Sequence, residues 1–220
     1  MRSKVFVAGF VKNSFVDWPG KICSVIFLGG CNFDCWYCHN RDILCHTSNT
    51  IPLDEVLAKI KEQVGFIDGV CISGGEPTMH PHLREIIAAV REIKIPVDDI
   101  LKISKIPRAM PIKLDTNGSN SALVQDLVKT HMVDFVAMDI KAPVTGPNKH
   151  KYSQIAGVPV DLGEIRASIK ILEEVARRAG VGIMFRTTPC PELTDEDLES
   201  IKKALGKGTF WRKNHFENPK

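Results

Sequence analysis

At 220 residues, with 44% hydrophobic and 25% charged side chains, the chain has the size and balance of one sizeable globular domain. The net charge of +3 comes from basic residues scattered along the sequence, which gives no basic patch or arm for nucleic acid. No apolar run reaches the roughly 18 to 20 residues that span a bilayer. The amino-terminal stretch is soon interrupted by Lys12 and Asn13 and lacks the apolar centre of a signal peptide, so a cytoplasmic location is expected.

In chain order, strand-like runs alternate with helical periods. ICSVIFL (22–28) reads as a strand buried on both faces. Leu53, Val56, Leu57 and Ile60 form the stripe of an amphipathic helix with Pro52 in its first turn. GVCIS (69–73) is the next strand, and Leu83, Ile86, Ile87 and Val90 again have helical spacing. IKLD (112–115) precedes a turn and a helix through Leu123 and Leu127, and FVAMDI (135–140) is a fourth strand. A long helix follows through Ile165, Ile169, Leu172 and Ala176, with Gly180 as its stop. VGIMFRT (181–187) is a fifth strand. Thr194 and Asp197 form a capping box for a helix through Leu198, Ile201 and Leu205, and GTFWRKN (208–214) holds a sixth strand.

Six β-α units imply parallel strands joined by right-handed crossovers. They fall short of the eight units of a closed barrel. The expected fold is α/β, a single-domain partial (β/α)6 TIM-like barrel over 1–220, with a doubly wound sheet as the alternative. In either fold, ligands bind beyond the carboxyl ends of the strands.

Three of the seven cysteines, Cys31, Cys35 and Cys38, follow the first strand, at that functional end. Clustered thiols without export signals point to metal rather than disulfides. Zinc would want a fourth ligand, which His39, Cys45 or His46 could supply. A [4Fe–4S] cluster held by only three thiolates would keep one iron open to a small molecule.

The loop CNFDCWYC (31–38) resembles the cluster loop of the radical S-adenosylmethionine (SAM) superfamily. The resemblance implies one [4Fe–4S] cluster on Cys31, Cys35 and Cys38, with SAM chelating the open iron. Reduction would release a 5′-deoxyadenosyl radical that abstracts a hydrogen atom. Tyr37 stands in the position that contacts adenine. In ISGGEP (72–77) the glycines allow close backbone approach, and Glu76 suits an ammonium better than a phosphate. This stretch matches the superfamily's GGE motif, so the resemblance makes Gly74, Gly75 and Glu76 SAM contacts.

LDTNG (114–118) and MDIK (138–141) end adjacent strands, which brings Asp115 and Asp139 to one mouth. Two converging carboxylates repel unless a cation joins them, and Lys141 or a bound metal cation is the candidate. Arg186, in FRTT, would face the same cavity. The motifs resemble those of glycyl-radical-enzyme activases. There Asp115, Asn117, Asp139, Lys141 and Arg186 would lie around SAM and, in some members, a monovalent cation near Asp115 and Asp139. GFVKNSFVDWPGK (9–21), KLDTNGSN and VDFVAMDIKAP extend the likeness to the anaerobic ribonucleoside-triphosphate reductase activating proteins.

That branch implies a glycyl radical enzyme subunit as partner and a low-potential electron donor such as flavodoxin or ferredoxin. It implies neither nucleic acid nor membrane. Two alternatives stay open: a radical SAM enzyme acting on a small molecule (such as a deazapurine precursor) or a peptide, and a zinc-binding module without catalysis. Residues 93–111 are longer than the family's usual connection, which marks a candidate insertion. His215 is left outside the site.

Overall fold

The apolar runs of the sequence become one seven-stranded sheet. The computed structural model describes residues 4–95 and 108–218. The strands are β1 (Gly9–Ser14), β2 (Cys23–Leu28), β3 (Gly69–Gly74), β4 (Ile112–Thr116), β5 (Phe135–Asp139), β6 (Gly182–Thr187) and β7 (Trp211–Lys213). They lie in the order β7-β6-β5-β4-β3-β2-β1, so every strand neighbours its successor in the chain. A doubly wound sheet reverses its strand order at a switch point. No such reversal occurs here, and the sheet winds one way, as in a barrel opened between β1 and β7.

All pairings are parallel except β1 with β2, an antiparallel hairpin whose register shifts between Val11 and Ser14. The hairpin strand is the main addition to the expected elements. GFVKNS mixes apolar and polar residues without clean alternation, so its sequence carries little strand signal.

The helices cover the sheet where their apolar stripes predict. They are α1 (Leu53–Lys61), α2 (Leu83–Arg91), α3 (Ser121–Lys129), the short α4 (Lys151–Ala156), α5 (Leu162–Ile171) and α6 (Asp195–Ala204). The chain of α5 continues through a wider π turn at Leu172–Ala176, and Gly180 stops it at φ +70°, a backbone state open to glycine. The capping box of α6 forms in full between Thr194 and Asp197. Within the 93–111 segment, Lys94–Ile95 pairs antiparallel with Arg108–Ala109, while 96–107 lie outside the described residues.

The space enclosed by the strands changes character along its axis. Near the amino ends Trp18, Cys23, Val25 and Cys71 form a small apolar layer of their own, with Trp18 against Phe135. Toward the carboxyl ends the inward positions are Lys113, Asp115, Asp139 and Arg186. The layer nearest the motifs is therefore charged.

Candidate active site

The site begins where β2 ends. Leu28 pairs with Gly74 in register, and the chains beyond both strands stay in contact. Gly75 N donates to Leu28 O at 2.9 Å, and Glu76 N donates to Gly30 O at 2.8 Å. A Cβ on Gly75 would stand 2.1 Å from Gly30 O, and Gly74 has φ +125° with Leu28 backbone 2.3 Å from its would-be Cβ. The two glycines thus let the GGE turn dock on the root of the cysteine loop.

The loop is fastened from other sides too. Asp34 N donates to Ala156 O at the end of α4, Gly30 N to Ile43 O, and Arg41 reaches Cys35 O at 3.0 Å. Asn40 Nδ2 donates to Gly74 O at 3.0 Å, and Asn32 bonds both Asn117 and Ser119. Backbone bonds and the side chains of Asn32, Asn40 and Arg41, not the thiols, hold the loop in place.

The thiols face a common cavity, and Cys31 and Cys35 keep their protons there. Burial pushes Cys31 up to about 11, and burial also raises Cys35. Thiols in that state become ligands only when a metal displaces the protons. Phe33 N donates to Cys31 Sγ at 3.4 Å, a contact that also favours thiolate. Among the described residues, no three of His, Cys, Asp and Glu converge as ligands for a single metal ion.

At the neighbouring strand ends the acidic groups are already matched. Arg186 Nε donates to Asp139 Oδ1 at 2.7 Å and its Nη1 to Asp115 Oδ2 at 3.2 Å. Lys141 Nζ sits 3.2 Å from Asp139 Oδ2, and Lys113 Nζ contacts Asp115 Oδ1. Burial alone would raise both carboxyl groups, but the facing cations outweigh it. Asp139 falls to about 2 and Asp115 is also held below its ordinary value. Burial disfavours the Lys141 ammonium, yet Asp139 overrides it and the group ends well above its usual range.

Every residue expected to hold the cluster or SAM except Glu76 lines one cavity of about 550 Å³, a size suited to a small-molecule ligand, while Cys45 and His46 do not line it. It collects Cys31, Cys35, Tyr37 and Cys38 from the loop, and Gly74 and Gly75 from the turn. Asp115, Asn117, Asp139, Lys141 and Arg186 come from the strand ends.

Glu76 is placed differently. Its side chain is buried, and it accepts from Thr78 N, Thr78 Oγ1, Thr116 Oγ1 and Asn117 N at 2.6–3.0 Å. The carboxylate ties the GGE turn to the β4 loop and leaves no oxygen facing the cavity. A buried carboxylate with four donors at hand recruits the protein's own groups before any ligand.

The cavity also has walls that the motifs did not disclose. Ser73 and Asn40 line it, as do Val16 and Asp17 from the β1–β2 turn. Arg212, Asn214 and His215 come from the carboxyl-terminal tail, although the His215 side chain is 84% exposed. Phe216 packs beside Trp36 and Tyr37, with ring centroids 5.8 and 6.3 Å apart. Ser73, next to the GGE turn and inward on β3, was within reach of a period-2 reading. The tail residues carry no motif and were not.

The model of the radical SAM superfamily matches residues 25–205. The chain belongs to the radical SAM superfamily. A Methanocaldococcus jannaschii protein provisionally named as a glycyl-radical enzyme activating enzyme is 31% identical over 97% of this chain and 81% of its own length. The pyruvate formate-lyase-activating enzyme of Clostridium pasteurianum is 28% identical over 86% of the chain and 69% of its own. Among solved structures, Streptococcus suis SuiB bound to its precursor peptide SuiA superposes with a TM-score of 0.61 at 14% identity. It covers 88% of this chain and 39% of SuiB. The AdoMet-bound structure of anSMEcpe gives 0.56 at 18% identity, over 87% of this chain and 50% of that one. At those identities the two structures establish the fold, and this chain spans half or less of each.

Proposed function

We propose that this chain is a SAM-dependent activase that places a glycyl radical on an anaerobic ribonucleotide reductase. The observation that carries the reading is the single cavity into which three loop thiols and a row of strand-end charges both open. The names of the two curated relatives support a glycyl radical enzyme as target. The resemblance of GFVKNSFVDWPGK and KLDTNGSN to the reductase activating proteins supports the choice among such enzymes.

The donor set fits the cofactor. Three thiols line the cavity, while Cys23, Cys45, Cys71 and Cys190 do not, so Cys31, Cys35 and Cys38 would hold three irons of one [4Fe–4S] cluster. When bound, the cluster would supply the electron that breaks a carbon–sulfur bond of SAM, and the 5′-deoxyadenosyl fragment would take the substrate hydrogen. The chain's own groups do the rest. Arg186 and Lys141 present positive charge to the methionyl carboxylate of SAM. Gly74 and Gly75 keep the turn low enough for the ligand to lie against backbone, and Tyr37 gives a ring for the adenine. The gap between β1 and β7 leaves a side entrance for a glycine-bearing segment of the partner. A flavodoxin or ferredoxin would deliver the electron.

The test mixes anaerobically reconstituted protein, SAM and a strong reductant with the large subunit of an anaerobic reductase or, in parallel, with pyruvate formate-lyase. Electron paramagnetic resonance should show a glycyl radical on the reductase subunit only. A radical on pyruvate formate-lyase alone would reassign the target. SAM cleavage with neither radical would point to a small-molecule or peptide substrate.

A further inference from the structure

Five charged side chains form an unbroken row across the inner face of the sheet at its carboxyl end, in the order Lys113, Asp115, Arg186, Asp139, Lys141. Lys113 contacts Asp115 Oδ1, Arg186 takes Asp115 Oδ2 and Asp139 Oδ1, and Lys141 takes Asp139 Oδ2. Each of the four carboxylate oxygens thus has a cation of the chain as its partner. Ser73 Oγ adds a further donor to Asp115 Oδ2 at 3.2 Å. A bound sodium or potassium ion needs several oxygen ligands free of other cations. These two aspartates offer none.

The charge balance points the same way. Three cations and two carboxylates sum to +1, and a monovalent metal ion would bring the row to +2. Like charges a few ångströms apart in a poorly solvated space repel strongly. The monovalent cation that the resemblance implies near Asp115 and Asp139 therefore does not fit this chain.

Lys113 is the unusual member of the row. It is one of the largest side chains with no exposed surface, and lysines are almost never fully buried unless paired. Besides Asp115 it has Cys71 Sγ 3.6 Å from Nζ, and Arg186 stands near enough to act on it as a like charge. Period 2 along β4 puts Lys113 on the same face as Asp115, so the ammonium reaches the carboxylate from within the barrel. On that side no solvent ion has access.

We infer that Lys113 is a built-in counter-cation. It supplies Asp115 with the positive charge that a monovalent metal ion would otherwise bring, and SAM binding in this chain has no sodium or potassium requirement. The inference rests on reading the cavity as the SAM site only for its second half. The ion-pair argument stands on the chain alone.

The direct test compares NaCl, KCl and choline chloride at one ionic strength. Melting of the wild-type protein before cluster reconstitution should agree across the three salts within about 1 °C. SAM affinity of the reconstituted protein, by equilibrium dialysis, should agree within about twofold. A saturable rise in melting temperature or SAM affinity with sodium or potassium over choline would overturn the inference.

Lys113→Met supplies the complementary arm. It removes the ammonium at similar volume and bares Asp115 Oδ1, so this variant should gain a saturable, ion-specific rise in melting temperature that the wild type lacks. A folded Lys113→Met protein indifferent to the choice of salt would also overturn it. If that variant does not fold, the wild-type salt series decides by itself. The melting readout needs neither cluster nor SAM, so a failure of SAM cleavage would count against the proposed function and leave this result intact.

Discussion

The cysteine loop and the strand-end row face the same cavity in opposite states of completion. The loop's buried thiols keep their protons, with Cys31 at about 11. The carboxyl groups of the row have lost theirs, with Asp139 at about 2. Burial acts on both regions in the same direction, against the charged form. What differs is the partner. The carboxylates of the row pair directly with Lys113, Arg186 and Lys141, whereas Cys31 and Cys35 feel Lys141 only from a distance and burial outweighs it. Folding alone pairs the charges of one half of the site, while Cys31 and Cys35 in the other half stay protonated.

The first way to break this contrast is to unbalance the finished half. Arg186→Ala leaves Asp115 and Asp139 without their shared guanidinium, which is 13% exposed. Removing one partner of a buried pair costs about 3 to 5 kcal/mol. A fall of roughly 10 °C in melting temperature is expected, together with loss of SAM binding. A variant that melts like the wild type would show that the row is not the pre-set part of the site.

Next comes the joint between the two halves. Gly75→Ala drives a Cβ to 2.1 Å from Gly30 O, backbone that cannot rotate away. The GGE turn and the cysteine loop must then separate, at a cost of about 1 to 3 kcal/mol. Iron retained after reconstitution should fall more sharply than stability, and unchanged iron content would place the strain elsewhere.

The acid limb of stability gives a milder test. Asp139 and Asp197 both have folded pKa values of about 2, depressed from the ordinary aspartate value of 3.8 by the cations and donors beside them. A depressed acid stabilises the fold fully above its unfolded pKa, and this contribution disappears as pH falls through the folded one. Unfolding free energy should therefore hold steady from neutrality down to about pH 5 and drop between about pH 4 and 2. A decline that begins near neutrality would implicate other groups.

The smallest effect is expected at the tail. Phe216→Ala removes a ring from beside Trp36 and Tyr37, contacts worth about 0.5 to 1.5 kcal/mol each. Melting temperature should fall by only about 2 to 6 °C, while SAM affinity weakens several-fold as Tyr37 loses its backing. Unchanged affinity would make the tail a bystander.

Much of this was legible in the sequence because the signals were strong where packing is strong. Strands such as CSVIFL in β2 and FVAMD in β5 are largely apolar runs, and α6 carries both members of its capping box. The cysteine loop and four strand-end motifs sit in one cavity because parallel strands put their carboxyl ends together. Other features depended on facts that no local pattern records. Glu76 has the composition of a ligand contact, but its four donors come from residues two and about forty positions away. Lys113 hides in the run IKLD because period 2 does not say which face lies inside the barrel. Phe216 and the α4 support of the loop arise from tertiary contact alone.

The contrast between the halves is tested most directly by Cys35→Ala. The loop is held by bonds that do not use the thiols, so the variant should fold with a melting temperature within about 4 °C of wild type. After anaerobic reconstitution and reduction with SAM, the wild type should release 5′-deoxyadenosine and the variant none. Release at the wild-type rate by a folded Cys35→Ala protein would contradict the assignment of these thiols to a catalytic cluster.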